Sequence, residues 1–141
     1  MRVPTLTAAC LLLLAAAEPP ALIAQDAWIR ATPGSDVAAA YLTLHNTGTQ
    51  PVVVVGVSSP RAGHAMIHQT TLANGQSAMR PHETLRIGGG ETVRLAPGGL
   101  HIMLTALGRP LSAGDEVPLE LRLQDGETLT VTARVRATGE G

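Results

Sequence analysis

Cysteine is almost missing from this chain: the single one, Cys10, lies inside an apolar N-terminal run. With that run removed no thiol is left, which excludes disulfides, thiolate nucleophiles, iron–sulfur clusters and cysteine-ligated blue-copper sites. Lysine is absent too. All ten basic residues are arginine, scattered without a patch, and the formal net charge is −1, so nucleic acid is not an expected partner. Long apolar runs are also lacking, because Leu6 to Ala17 stops at Glu18-Pro19-Pro20, short of the roughly 20 residues that span a bilayer. With Arg2 ahead of it and small residues behind, that run reads as an export signal and not as a stable membrane anchor. Cleavage is expected after Ala24, with Ala17 as the alternative, dividing the chain into a signal peptide over 1–24 and one domain over 25–141. Thr7-Ala8-Ala9-Cys10 does not read as a lipidation site, since the leucine run follows the cysteine where it should precede it. A Ser/His/Asp hydrolase is not expected either, for no nucleophile-elbow motif occurs.

What is present is alternation. Asp26 to Ala31 reads as a first strand closed by Thr32-Pro33-Gly34, with Trp28 as a core anchor. Val37 to Asn46 places Ala38, Ala40, Leu42 and Leu44 on one face, with Ala39, Tyr41, Thr43 and His45 on the other. His45 is expected to be an exposed bystander. Val52 to Val57 is a β-branched run between turn signals, which predicts a strand buried on both sides. His64 to His68 alternates again, and Asn74-Gly75 predicts a hairpin because both residues tolerate positive φ. Leu85 to Ile87, Thr92 to Leu95, His101 to Leu104, Val117 to Leu123 and Leu129 to Val135 continue as strands. Regular turn signals and the lack of an amphipathic helix point to an antiparallel sandwich or barrel.

Histidine and methionine are concentrated in one stretch. From His64 to Met103 lie His64, Met66, His68, Met79, His82, His101 and Met103, which include four of the five histidines and every methionine outside the leader. Core packing gives sulfur no reason to avoid the rest of the chain. In His101-Ile102-Met103 the imidazole and the thioether share one face of a strand, and the Pro97-Gly98-Gly99 turn can bring that strand end to an accessible rim. Soft thioether and neutral imidazole donors suit cuprous ion, and a thioether persists in an oxidising compartment where a thiol would couple. The expected ligand set is His68, Met79, His101 and Met103 around one Cu(I). His64 and Met66 share a face with His68 and could widen the set; the direction of His82, beyond Pro81, is open.

The spacing resembles that of PCuAC-type periplasmic copper chaperones: a histidine, ten residues, a methionine, twenty-one residues, then His-x-Met, filled here by His68, Met79, His101 and Met103. Ala27 to Pro33, Ala39 to Leu42, Met79-Arg80-Pro81 and Pro97 to Met103 look like signatures of the same family. The resemblance implies an all-β, cupredoxin-like antiparallel Greek-key β-sandwich that binds Cu(I) in the periplasm. It further implies delivery of copper to the dinuclear copper centre of cytochrome c oxidase subunit II, alongside a Sco-type protein. Such a protein is a carrier and not an enzyme. The alternatives are an extracytoplasmic interaction module without metal, or a copper storage or resistance protein. Gln69 stands where some relatives carry methionine, which removes one possible extra sulfur, and residues 137–141 lack the His/Met-rich tail of some members, so a second, cupric site is not expected.

Overall fold

The computed structural model describes residues 21–137. The proposed leader, Cys10 included, lies outside the described residues up to position 20. Ten strands follow in chain order: β1 (Leu22–Ala31), β2 (Ala38–Asn46), β3 (Val52–Ser58), β4 (Ala62–Ala73), β5 (Gln76–Pro81), β6 (Leu85–Ile87), β7 (Thr92–Leu95), β8 (Leu100–Leu107), β9 (Glu116–Leu123) and β10 (Thr128–Arg136). Hydrogen bonding runs unbroken through β5-β4-β8-β2-β1-β10-β9-β3-β6, with β7 also paired to β2. The path curls on itself so that β3 packs across from β4 and the inner faces share one apolar core. The fold is all-β and sandwich-like, as expected, with one exception to the antiparallel rule. β1 and β10 run parallel, Trp28 opposite Arg134 and Arg30 opposite Arg136.

One row of the core decides where everything else points. Ile29 pairs with Ala40, Ala40 with Ile102 and Ile102 with Ile67, so four strands put buried side chains side by side on the inner face. Since neighbours along a strand alternate faces, the residues flanking this row are turned outward. Slipping one strand by a residue would expose its isoleucine, at a cost of about 1.5–3 kcal/mol for each side chain turned out.

The first strand begins earlier than the alternation indicates. Asp26 has φ 55°, and the pairing with β2 shifts by one residue between Gln25 and Trp28. This bulge changes which parity faces inward, so Leu22 and Ile29 are both buried although one is even and the other odd. Leu22 opposes Asn46, and a cut after Ala24 would remove three residues from β1. Trp28 is also not the core anchor expected: it lies half-buried on the outer face. In β3 the expected burial on both sides is confined to Val54.

The turns behave as their residues require. Asn74 and Gly75 both take positive φ, 53° and 75°, closing the β4–β5 hairpin. At the end of β2 the fully buried Asn46 donates from Nδ2 to the carbonyls of Gln50 (2.7 Å) and Ile87 (3.0 Å) and accepts at Oδ1 from the Gly48 amide (3.0 Å).

Candidate metal centre

β2 changes partner halfway along its length. Leu42 to His45 pair with β7, whereas Ala38 to Ala40 pair with β8. Between Leu95 and Ile102 the chain makes a six-residue excursion while β2 advances only from Leu42 to Ala40. Pro97-Gly98-Gly99 forms that excursion, with Gly98 at φ 85°, and it delivers His101 to the start of β8 beside Tyr41. The predicted swing to a rim is therefore an outward loop in a strand that otherwise follows β2.

β8 and β4 then run antiparallel with His101 opposite His68, Met103 opposite Met66 and Thr105 opposite His64. Cross-strand partners project from the same face, so these six side chains form three adjacent pairs on the outer side of the row that contains Ile67 and Ile102. The imidazoles meet edge to face, with ring centroids 5.9 Å apart and planes at 78°. His101 is 4% exposed, and its Nδ1 lies 3.1 Å from the Gly99 carbonyl. A carbonyl only accepts, so Nδ1 carries the hydrogen and Nε2 keeps its lone pair. That Nε2 is buried without a hydrogen-bond partner, as is Nδ1 of His68. Burial, and secondarily the neighbouring His101, push the His68 pKa below its usual value, favouring the neutral ring that a soft metal needs.

Met79 arrives from the other side. On β5 it opposes Thr70, one same-face position beyond the point where Pro81 opposes His68. It therefore shares the face and sits diagonal to His68, at about 7–8 Å between backbones in ordinary sheet geometry. With two strand spacings and four residues of rise between them, Met79 and Met103 start roughly 16 Å apart at their Cα atoms. β5 is an edge strand exposed along its whole length, and Met79 itself is 59% exposed.

His82 is not on this face. Its amide donates to the Ile67 carbonyl at 2.8 Å, which continues the β4–β5 register and puts it on the core side. There it borders a cavity with Val55, Val57 and Ile67. His45 lies at the far end of β2, its Nδ1 2.8 Å from the Thr92 hydroxyl. Among the described residues no group of three or more His, Cys, Asp or Glu side chains converges on a point. The donors next to the two imidazoles along this face are the thioethers of Met66 and Met103.

Sequence reasoning missed the aromatic flank of the site. Tyr41 lies 6.4 Å from His101 and 4.7 Å from Trp28 by ring centroid, Arg30 sits 5.7 Å from both rings, and Arg136 stands 4.4 Å over Trp28. The bulge at Asp26 concealed this arrangement, since it is what brings Trp28 to the outer face beside Tyr41.

The chain is thus an all-β sandwich with a histidine pair and two thioethers side by side on one outer face, and solved structures share the fold. The copper-bound PCuAC domain from PmoF2 superposes with a TM-score of 0.69, at 21% identity over 83% of this chain and 93% of that one, a likeness of fold. CuI-DR1885 from Deinococcus radiodurans superposes equally well, TM-score 0.69, at 36% identity over 89% of this chain and 85% of that one. The fold expected from the resemblance to PCuAC-type chaperones is thus the one observed. More particularly, a family model described as "Putative lipoprotein LpqE-like" matches residues 22–135, and the chain belongs to that family. A relative named "Putative lipoprotein Lxx21020", from Leifsonia xyli subsp. xyli, is 40% identical over 111 residues. The match takes in 78% of this chain and 66% of that relative's length.

Proposed function

We propose that the protein is a copper carrier acting outside the cytoplasm, which holds one cuprous ion through His68, Met79, His101 and Met103 and passes it on by ligand exchange. The observation that carries this reading is the His68–His101 pair, with one unpartnered, buried ring nitrogen on each imidazole and sulfur on either side. Nδ1 of His82 is likewise buried without a partner but lies on the core side, whereas the His68 and His101 nitrogens share one face with the thioethers, the setting in which an ion can satisfy them. The 36% identity to CuI-DR1885 supports Cu(I) as that ligand. Two imidazoles and neutral thioethers leave the site with a single positive charge, which favours tight holding without preventing release. Met79 reaches the ion when the edge hairpin β4–β5 bends over the face.

Export through the leader fits the family, whose name describes putative lipoproteins, and no helix among the described residues is long and apolar enough to cross a membrane. Burial of Leu22 supports cleavage at Ala17 over Ala24. The recipient implied by resemblance is the dinuclear copper centre of cytochrome c oxidase subunit II, with a Sco-type protein beside it. Nothing in the role requires catalysis.

X-ray absorption on the copper-loaded protein tests the site by counting nitrogen and sulfur neighbours. Two nitrogens and two sulfurs are expected; an oxygen-dominated shell, or no cuprous binding in competition with a chelator, overturns the reading. Transfer from loaded protein to apo subunit II, with and without the Sco-type protein, tests the recipient.

A further inference from the structure

Met66 is the sulfur that neither the spacing motif nor the expected ligand set uses. It is 48% exposed, so it does not serve as core filler, and it stands directly opposite Met103 on the ligand face. His68 and Met66 on β4, with His101 and Met103 on β8, are four mutually adjacent positions, opposite pairs about 5 Å apart and diagonal pairs about 7–8 Å. Met79 lies on the far side of the histidine pair and starts roughly 16 Å from Met103, so it joins Met103 on one ion only after its hairpin moves.

We infer that Met66 is a fifth soft donor: His68, His101 and Met103 stay on the cuprous ion while Met66 and Met79 alternate as the fourth ligand. This rests on the copper reading above and deepens it. The Met66 arrangement uses the strands as they are paired and constitutes the closed, resting form. In the Met79 arrangement an exposed edge strand carries the bond, and a partner's donor can displace it there without disturbing the core row beneath. Each exchange breaks one copper–sulfur bond as another forms, with no change in oxidation state and no proton released, because a thioether carries none. While Met66 and Met79 exchange, His68, His101 and Met103 remain on the ion.

The test is a double-mutant cycle on the exported, folded chain, with Met66→Leu, Met79→Leu and the pair together, titrated anaerobically with cuprous ion against a colorimetric chelator. Leucine is apolar and close in size to methionine, and both positions are exposed, so the fold is retained. Each single variant is expected to keep two sulfurs by X-ray absorption, the remaining thioether of the pair taking the fourth position. The double variant should drop to one sulfur and lose roughly tenfold or more in affinity, the scale on which even outer partners of metal sites matter. As a second measurement, the Met66 methyl resonance of the unaltered protein should shift on adding one equivalent of cuprous ion. An unmoved Met66 methyl, with Met79→Leu already matching the double variant, overturns the role of Met66 alone. Failure of the unaltered protein to bind cuprous ion overturns the copper reading and this inference with it.

Discussion

Ile67 and Ile102 oppose each other across β4 and β8, both buried, one residue along from the His68–His101 pair and on the other side of the sheet. The core pair holds the ligand pair in register. Ile102→Ala is expected to cost about 2–5 kcal/mol in urea unfolding, the range for truncating a buried isoleucine. Molecules that remain folded should bind copper as before, so a loss of affinity without a loss of stability would count against this division of labour.

His101 is held differently from its partner, by a hydrogen bond from its own Nδ1 to Gly99 two residues upstream. His101→Gln should abolish tight cuprous binding, with a loss at least as large as the roughly 10–100-fold caused by removing outer partners of a metal ligand. The apo protein is expected to lose about 0.5–1.5 kcal/mol as well, because the change also removes the Nδ1–H bond to the Gly99 carbonyl. Chelator competition and a thermal melt on the same sample separate the two effects.

The pH dependence has a definite sign. The folded-state pKa of His68 lies below its ordinary value of 6.5, so the unfolded chain binds more protons than the folded one as the medium is acidified. Stability of the apo protein that is fully present above pH 6.5 is lost as pH falls through the lowered folded value, and His68→Gln should flatten that slope. Cuprous affinity should fall over the same acidic range, because the protonated ring cannot coordinate. Affinity unchanged from neutral pH to about pH 4.5, well below the ordinary histidine value, would remove the histidines from the site.

Asn46 is remote from the metal face, and its role is structural. Asn46→Ala removes two donated bonds and one accepted bond at a fully buried position, leaving the Ile87 carbonyl without that donor. The expected cost is about 2–4 kcal/mol, from the net worth of such bonds plus the penalty for a stranded acceptor. A lower melting midpoint with unchanged copper stoichiometry is the expected outcome.

Local order was legible because it depends on local chemistry. Alternation in β2, β8, β9 and β10 follows from period-two burial, and Asn74-Gly75 makes its hairpin because both residues accept positive φ. The start of β1 was not legible: one extra residue near Asp26 reverses the inward parity and conceals a ten-residue strand. The site of Trp28 was lost for the same reason, and the burial of β3 was overestimated because composition alone does not tell which of its two faces the sandwich covers.

The amino-acid order by itself determined most of the strand content, the turns, the confinement of the single thiol to Cys10 in the N-terminal apolar run and the supply of soft donors between His64 and Met103. Only the tertiary structure decided that His68 faces His101, that Met66 faces Met103, that Met79 waits on an edge hairpin, and that His82 turns to the core. The physical reason is that register between strands distant in sequence is chosen by burying Ile29, Ala40, Ile102 and Ile67 together. That choice belongs to the assembled sheet and to no single segment of the chain.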